Sequence, residues 1–372
     1  MRAFRLSAWL RAAALLMLAC LCATAHAEST PFQLIKDKVI VPVTINGRAT
    51  FAMVDTAAGK SGIDATLAQE LQLANARPVK LKGMNGGMVS ASIASGVEIG
   101  IAGASTKLDV FVTDISVGKH VNTEVRAIIG HDLLAQHVVA IDFDMLTIDL
   151  TPAAAFTTFP KTAPTPLKFN GKVWSVAARI SGFGSRDAIF DLGAEGSMIM
   201  APSALDRMRL TFGRKTSAAT LTSANQQVTK VTMMSAQSVE IGPARFENVP
   251  LALLPSGESF FKAVAGTAIL SRFNLLVDLS RNRVWMTPNA RAALPFRRGV
   301  TGLIYGEDRV LSMVAPGSPA KAAGFKAGER IAALYDAVGA PILDSYEIDA
   351  GESVRVVLAD GREKTIVAAE YY

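Results

Sequence analysis

The chain has 372 residues, half of them hydrophobic and 19% charged, with a formal net charge of +6. That length exceeds one average domain and carries enough apolar residues for two or three folded units. Setting aside three arginines of the N-terminal leader takes the charge from +6 to +3, and no basic run is interleaved with aromatics, so nucleic acid is not an expected partner.

Residues 1–27 read as a secretory signal. Arg2, Arg5 and Arg11 form a basic start, Ala12 to Leu21 a short apolar stretch, and Ala25-His26-Ala27 a small-x-small cleavage site. The apolar run is far below the ~20 residues that span a bilayer, and nothing later is long enough either, so no transmembrane segment is expected. The mature protein is expected to be exported, periplasmic or secreted. Cys20 and Cys22 both fall in the leader, which leaves no disulfide, Cys nucleophile or thiolate metal site beyond it. An alternative makes Cys20 a lipid-attachment residue, although Leu18 and Ala19 fit such a signal poorly.

In chain order, Val39 to Ile45 alternates as a strand, Asn46-Gly47 supplies a two-residue hairpin turn, and Ala49 to Val54 returns to deliver Asp55 at its end. Ala65 to Leu71 reads as a short helix. Thr151 to Pro166, rich in Pro, Thr and Ala, reads as a linker. The pattern then repeats. Val54-Asp55-Thr56-Ala57-Ala58 returns as Phe190-Asp191-Leu192-Gly193-Ala194, 136 positions on. The same offset relates Ser61 to Ser197, Ile63 to Ile199, Ile128-Ile129-Gly130 to Val264-Ala265-Gly266, Leu134 to Leu270, Asp142 to Asp278, and Thr151-Pro152 to Thr287-Pro288. Between these matches the register slips by about six, pairing Glu98-Ile99-Gly100 with Glu240-Ile241-Gly242, and Ser203 to Leu210 answers the first helix. One offset held across about a hundred residues marks an internal duplication. The expected units are residues 31–152, 165–292 and a distinct module at 298–372.

A duplicated fold that presents one Asp at the same point of each half can bring two carboxylates together across a pseudo-two-fold axis. Carboxylates about 3 Å apart cannot both ionise and hold one proton between them. The ionised member then serves as general base toward a water, and the protonated one stabilises the carbonyl oxygen and protonates the leaving amine. No cofactor and no metal is expected. His120, His131 and His137 lack metal-ligand spacing and second-copy partners, and Asp142 and Asp278, in strand patterns well after the glycines, read as structural.

Asp55-Thr56-Ala57-Ala58 and Asp191-Leu192-Gly193-Ala194 resemble the Asp-Thr/Ser-Gly-Ala/Ser signature of aspartic proteases. The segments ending in Gly130 and Gly266 resemble the hydrophobic-hydrophobic-Gly segments that support the active-site loops in that family. The likeness covers about residues 33 to 292 and is nearest the retropepsin-like branch, fused in one chain; pepsin-like flap tyrosine is absent from the first half. It implies a mostly β, two-lobed fold of double-psi-like β-barrel lobes related by a pseudo-two-fold, with Asp55 and Asp191 catalytic on a peptide or protein substrate. Gly83-Met84-Asn85-Gly86-Gly87 stands where a flap is expected. Two departures favour a rival reading, an inactive peptide-binding protein on the same fold. Ala57 replaces a family Gly and would crowd Asp55, and Leu192 replaces a hydroxyl residue, removing half of the brace between loops. A sugar- or metabolite-binding role has only the export signal behind it.

Val314-Ala315-Pro316-Gly317-Ser318-Pro319-Ala320 followed by Ala323 to Ile331 resembles bacterial PDZ domains, with Glu329 in place of their usual Asp. The resemblance implies a small α/β PDZ-like domain binding an extended peptide ligand along Gly302-Leu303-Ile304-Tyr305. The alternative is a structural cap without a ligand.

Overall fold

The computed structural model describes residues 29–372 apart from 74–76, 83–87, 116–123, 223–227, 256–260, 307, 344, 346 and 347. The leader with Cys20 and Cys22, His120 and the expected flap residues Gly83, Met84, Asn85, Gly86 and Gly87 lie outside the described residues.

The first lobe contains β1 (Thr30–Pro31), β2 (Gln33–Ile35), β3 (Lys38–Ile45), β4 (Arg48–Val54), β5 (Gly62–Asp64), β6 (Arg77–Lys82), β7 (Met88–Ile101), β8 (Ala104–Thr113), β9 (Val125–Ile129), β10 (His137–Asp142) and β11 (Thr147–Pro152). The second contains β12 (Thr165–Phe169), β13 (Trp174–Ile180), β14 (Gly184–Phe190), β15 (Met198–Met200), β16 (Ser217–Thr222), β17 (Val228–Ile241), β18 (Ala244–Leu253), β19 (Ala263–Ala265), β20 (Phe273–Asp278) and β21 (Arg283–Pro288). The strand orders β2-β3-β4-β9-β5-β8-β7-β6 and β12-β13-β14-β19-β15-β18-β17-β16 are the same, down to the extra pairings of β3 with β7 and β13 with β17. The chain is therefore a mostly β protein of two repeated lobes.

Local sequence explains the hairpin that presents Asp55. The residues of β3 alternate into the core from Val41 onward, and Asn46 and Gly47 both take positive φ (47° and 79°), the geometry whose twist matches flanking strands. β4 then buries Ala52, Met53 and Val54 just before the aspartate. Parallel pairing of β4 with β9 and of β14 with β19 sets Val54 opposite Ile129 and Phe190 opposite Ala265, so each support segment lies beside the loop it carries.

The lobes join through β10 and β20, which pair antiparallel with Ala140 opposite Leu276. These two residues are themselves 136 apart, so the pseudo-two-fold axis passes through their pair. One apolar core runs through both lobes, from Phe32 to Phe296, and fixes one aspartate relative to the other. The stretch from 153 to 164 is anchored. Phe159 stacks on Trp285 at 5.2 Å, and Trp285 Nε1 donates to the Thr162 carbonyl.

The structure corrects the register in the middle of the repeat. Ile101 pairs with Ala104 and Ile241 with Ala244 around matching two-residue turns, an offset of 140, so the slip is four residues. Turn geometry fixes this register, and the shared Glu-Ile-Gly triplet is incidental. The slip arises after Asp64 and Met200, still 136 apart, and before Arg77 and Ser217, 140 apart. Lobe 2 thus carries four extra residues around its helix Ala204–Thr211, whose counterpart is Ala65–Glu70; Ser203 and Asp64 cap them.

Residues after 298 have a separate core around Phe325, Leu334 and Val356. It lies between β22 (Leu303–Tyr305) paired with β23 (Leu311–Val314), the helix Pro319–Ala322, and the sheet of β24 (Ile331–Tyr335), β25 (Ser353–Leu358) and β26 (Glu363–Val367). This module rests on lobe 2. The Arg298 side chain, 7% exposed, donates to Ser235 Oγ and to the Asn248 and Tyr372 carbonyls, and Ser217 Oγ donates to the Pro316 carbonyl.

Asp142 and Asp278 hold turns. Asp142 accepts the Asp144 and Met145 N–H groups, whereas the fully buried Asp278 carboxylate accepts from Ser280, Arg281 and Arg283. Burial works to raise the Asp278 pKa, and these donors outweigh it, leaving it lowered. Asp278→Ala is expected to destabilise the protein by about 3 kcal/mol, and Asp142→Ala by less than half as much. Denaturant unfolding at neutral pH measures both; equal effects would contradict the difference in burial.

Candidate active site

Asp55 and Asp191 sit at corresponding strand ends and are held by the same set of contacts. Asp55 N–H donates to the Ile129 carbonyl and Asp191 N–H to that of Ala265. Asp55 Oδ1 accepts from Ala57 and Ala58 N–H at 2.9 and 2.8 Å, and Asp191 Oδ1 from Gly193 and Ala194 at 2.8 and 3.0 Å. Neither Oδ2 takes a hydrogen bond from the described residues.

Three glycines have steric reasons. A Cβ on Gly193 would fall 2.6 Å from Asp55 Oδ2, so the lobe 1 carboxylate leans over the lobe 2 loop. A Cβ on Gly130 would meet the Ala58 carbonyl at 2.8 Å, and one on Gly266 the Ala194 carbonyl at the same distance. The support segments approach the aspartate loops too closely for any side chain.

The expected half-brace is present. Buried Thr56 donates through Oγ1 to the Phe190 carbonyl at 2.6 Å and accepts Leu192 N–H at 3.0 Å, tying the lobes together beside the carboxylates. Leu192 returns no such bond and is buried in the main core. The crowding expected of Ala57 does not disrupt the loop. Its methyl packs against the cluster of Val173, Ile189 and Phe261, and its N–H still reaches Asp55.

Burial and proximity set the electrostatics. Asp191 is 4% exposed, and burial first, then the Asp55 charge, push its pKa up to about 8. Burial also raises Asp55, against the opposing pull of the Ala58 and Ala57 amides and of Lys38 and His131. The pair therefore holds a proton through the neutral range.

A family model described as aspartyl protease matches residues 41–133 and again 176–270, spanning both aspartate loops and both support segments. The chain belongs to the aspartyl protease family. No curated protein matches it. The surroundings of the two carboxylates differ from each other, and sequence reading passed over the residues responsible. Lys38 and Trp174 are equivalent at the 136 offset, as are Gly59 and Glu195. On one flank Lys38 approaches Glu195 at 3.7 Å across the lobes, and its charge acts on both aspartates. On the other, buried Trp174 meets the His131 ring edge-on at 4.9 Å and lies 4.2 Å from exposed Phe169, with Gly59 against His131.

The second copy has Thr267 in place of His131, as the repeat offset gives. Thr267, 136 positions on, donates through Oγ1 to the Leu192 carbonyl, and the His131 ring faces the corresponding Thr56 carbonyl. Burial lowers the His131 pKa against the pull of Asp132, Asp55 and that carbonyl. His137 is buried and bonds the Leu133 carbonyl, away from the pair. Applying the repeat offset to Lys38 and Gly59 as well would have pointed to Trp174 and Glu195.

Asp191 also predicts a pH dependence of stability. Its folded pKa lies above its unfolded one, so its contribution is complete below about pH 4 and is lost as pH rises to about 8. Asp191→Asn, which mimics the protonated form, is expected to stabilise the protein at pH 8 by on the order of 3 kcal/mol and to change little at pH 4. Thermal unfolding of both proteins at the two pH values is the measurement; a variant destabilised at pH 8 would refute the assignment.

Proposed function

We propose that the protein is an exported aspartic endopeptidase in which a water activated between Asp55 and Asp191 hydrolyses a peptide bond. The observation that carries this reading is the matched pair of loops. Two carboxylates, each fixed by two backbone N–H groups through one oxygen, lean together under burial that keeps one of them protonated. Such a pair supplies a base and an acid at one point. The ionised carboxylate takes a proton from water as its oxygen attacks the carbonyl carbon. The protonated one hydrogen-bonds the carbonyl oxygen, and a proton passes to the amine as the C–N bond breaks.

The features that favoured an inactive binding protein lose force in this geometry. Ala57 keeps its hydrogen bond to Asp55, and Thr56 braces both the Phe190 carbonyl and the Leu192 amide.

We assign residues 298–372 as the PDZ-like domain, following lobes at 31–152 and 165–292. Support comes from Gly302, held at φ +79° with no room for a side chain beside Ser318, and from β22, which pairs on one edge only among the described strands. An open edge of this kind accepts an extended peptide, here along Leu303, Ile304 and Tyr305.

The test is digestion of a diverse peptide library by the chain from Glu28 onward, across acid to alkaline pH, beside Asp55→Asn and Asp191→Asn. Cleavage is expected to fall by at least about a thousandfold in each variant and to decline in the parent as pH passes about 8, where the shared proton leaves. A folded parent that binds peptides but cleaves none at any pH would establish the binding-protein reading in its place.

A further inference from the structure

The four residues that lobe 2 has gained over lobe 1 surround an apolar stripe that faces solvent. Leu205 is 52% exposed, Met208 62% and Phe212 84%. Leu205 and Met208 lie a turn apart on the helix Ala204–Thr211, and Phe212 follows at its C-cap. The opposite side of the same helix is engaged with the lobe. Leu210 is buried, and Arg207 donates to Thr232 Oγ1 and the Leu253 carbonyl. Lobe 1 provides an internal control, because its capped helix exposes Thr66 and Gln69 at the corresponding places. The apolar stripe is therefore a property of lobe 2 and not of the repeat.

Cations border the stripe. Arg209, Arg214 and Lys215 are all exposed, and the one acidic residue among 203–216, Asp206, is bonded to the Ser203 hydroxyl. We propose that this helix and the turn after it form a contact surface for an anionic lipid bilayer. Leu, Met and Phe enter the boundary between headgroups and acyl chains, and the three cations meet the lipid phosphates. The charge pattern selects this occupant over a second copy of the chain. A two-fold contact would set the patch against itself, bringing like charges together around three side chains, far short of the area of a stable dimer.

The experiment is sedimentation of the chain from Glu28 onward, which omits the apolar leader, with vesicles of phosphatidylcholine alone or containing about a third phosphatidylglycerol. Partitioning to the anionic vesicles is expected to exceed that to neutral ones by at least about tenfold and to weaken in high salt. L205S/M208S/F212S and R209Q/R214Q/K215Q should each lower it by about tenfold or more, with unfolding midpoints near that of the parent. A Phe212→Trp variant should gain blue-shifted emission with anionic vesicles, independently of the partition assay. Absence of binding to either vesicle overturns the proposal, as does binding that survives both triple substitutions. A concentration-dependent dimer that dissociates in L205S/M208S/F212S overturns it in favour of self-association. Peptide cleavage plays no part in these readouts, so they stand apart from the assignment of the aspartates.

Discussion

Two carboxylates leaning together, one buried and the other partly so, are an electrostatic liability, and much of this fold restrains them. Left alone, like charges withdrawn from water would separate or drag solvent in with them. The protein prevents both. Each Asp55 and Asp191 loop spends two backbone N–H groups on its own carboxylate, and each loop is backed by a glycine segment with no room for a side chain. Thr56 reaches across the lobes, and the core common to both lobes fixes the distance between strand ends. What relief remains is chemical: a proton stays on the pair.

The pseudo-two-fold imposes equivalence on backbone and leaves side chains free to diverge. Topology, pairing and loop hydrogen bonds repeat faithfully because each lobe must deliver a carboxylate to the axis that passes between Ala140 and Leu276. Around that constant frame the copies differ. Thr56 answers Leu192, Ala57 answers Gly193, His131 answers Thr267, and Lys38 answers Trp174. The last exchange gives the pair a charged flank and an aromatic one. A symmetric dimer of identical chains cannot do this; fusion into one chain permits each flank to be altered separately.

Much of the frame was legible in the sequence because it is carried by local rules. Asn46-Gly47 encodes a hairpin, alternation in Val39 to Ile45 encodes a half-buried strand, and a constant offset identifies equivalent loops. The aspartates and their glycines followed from those signals. The register of β7 and β17 did not, because a shared Glu-Ile-Gly triplet competed with turn geometry, and the turn decides pairing. Trp174 and Lys38 were invisible for another reason. Each looks like an ordinary strand-entry residue, and only the folded arrangement sets Lys38 near Glu195 and Trp174 against His131.

The same logic explains where variation accumulated. Lobe 1 has its counterpart helix closed off by polar residues, while lobe 2 carries the longer helix segment and also receives the C-terminal module through Arg298, Ser235 and Ser217. Both additions rest on or beside β16 to β18, whereas the Asp191 loop follows β14 and Gly266 follows β19. Neither the aspartate loops nor the β10–β20 junction could accept four extra residues without shifting one carboxylate relative to the other. The outer hairpins of lobe 2 could, because their register is set by their own turns and leaves the axis untouched. The proposed lipid-contact helix and the C-terminal module therefore both lie on the part of the lobe that the paired aspartates do not constrain.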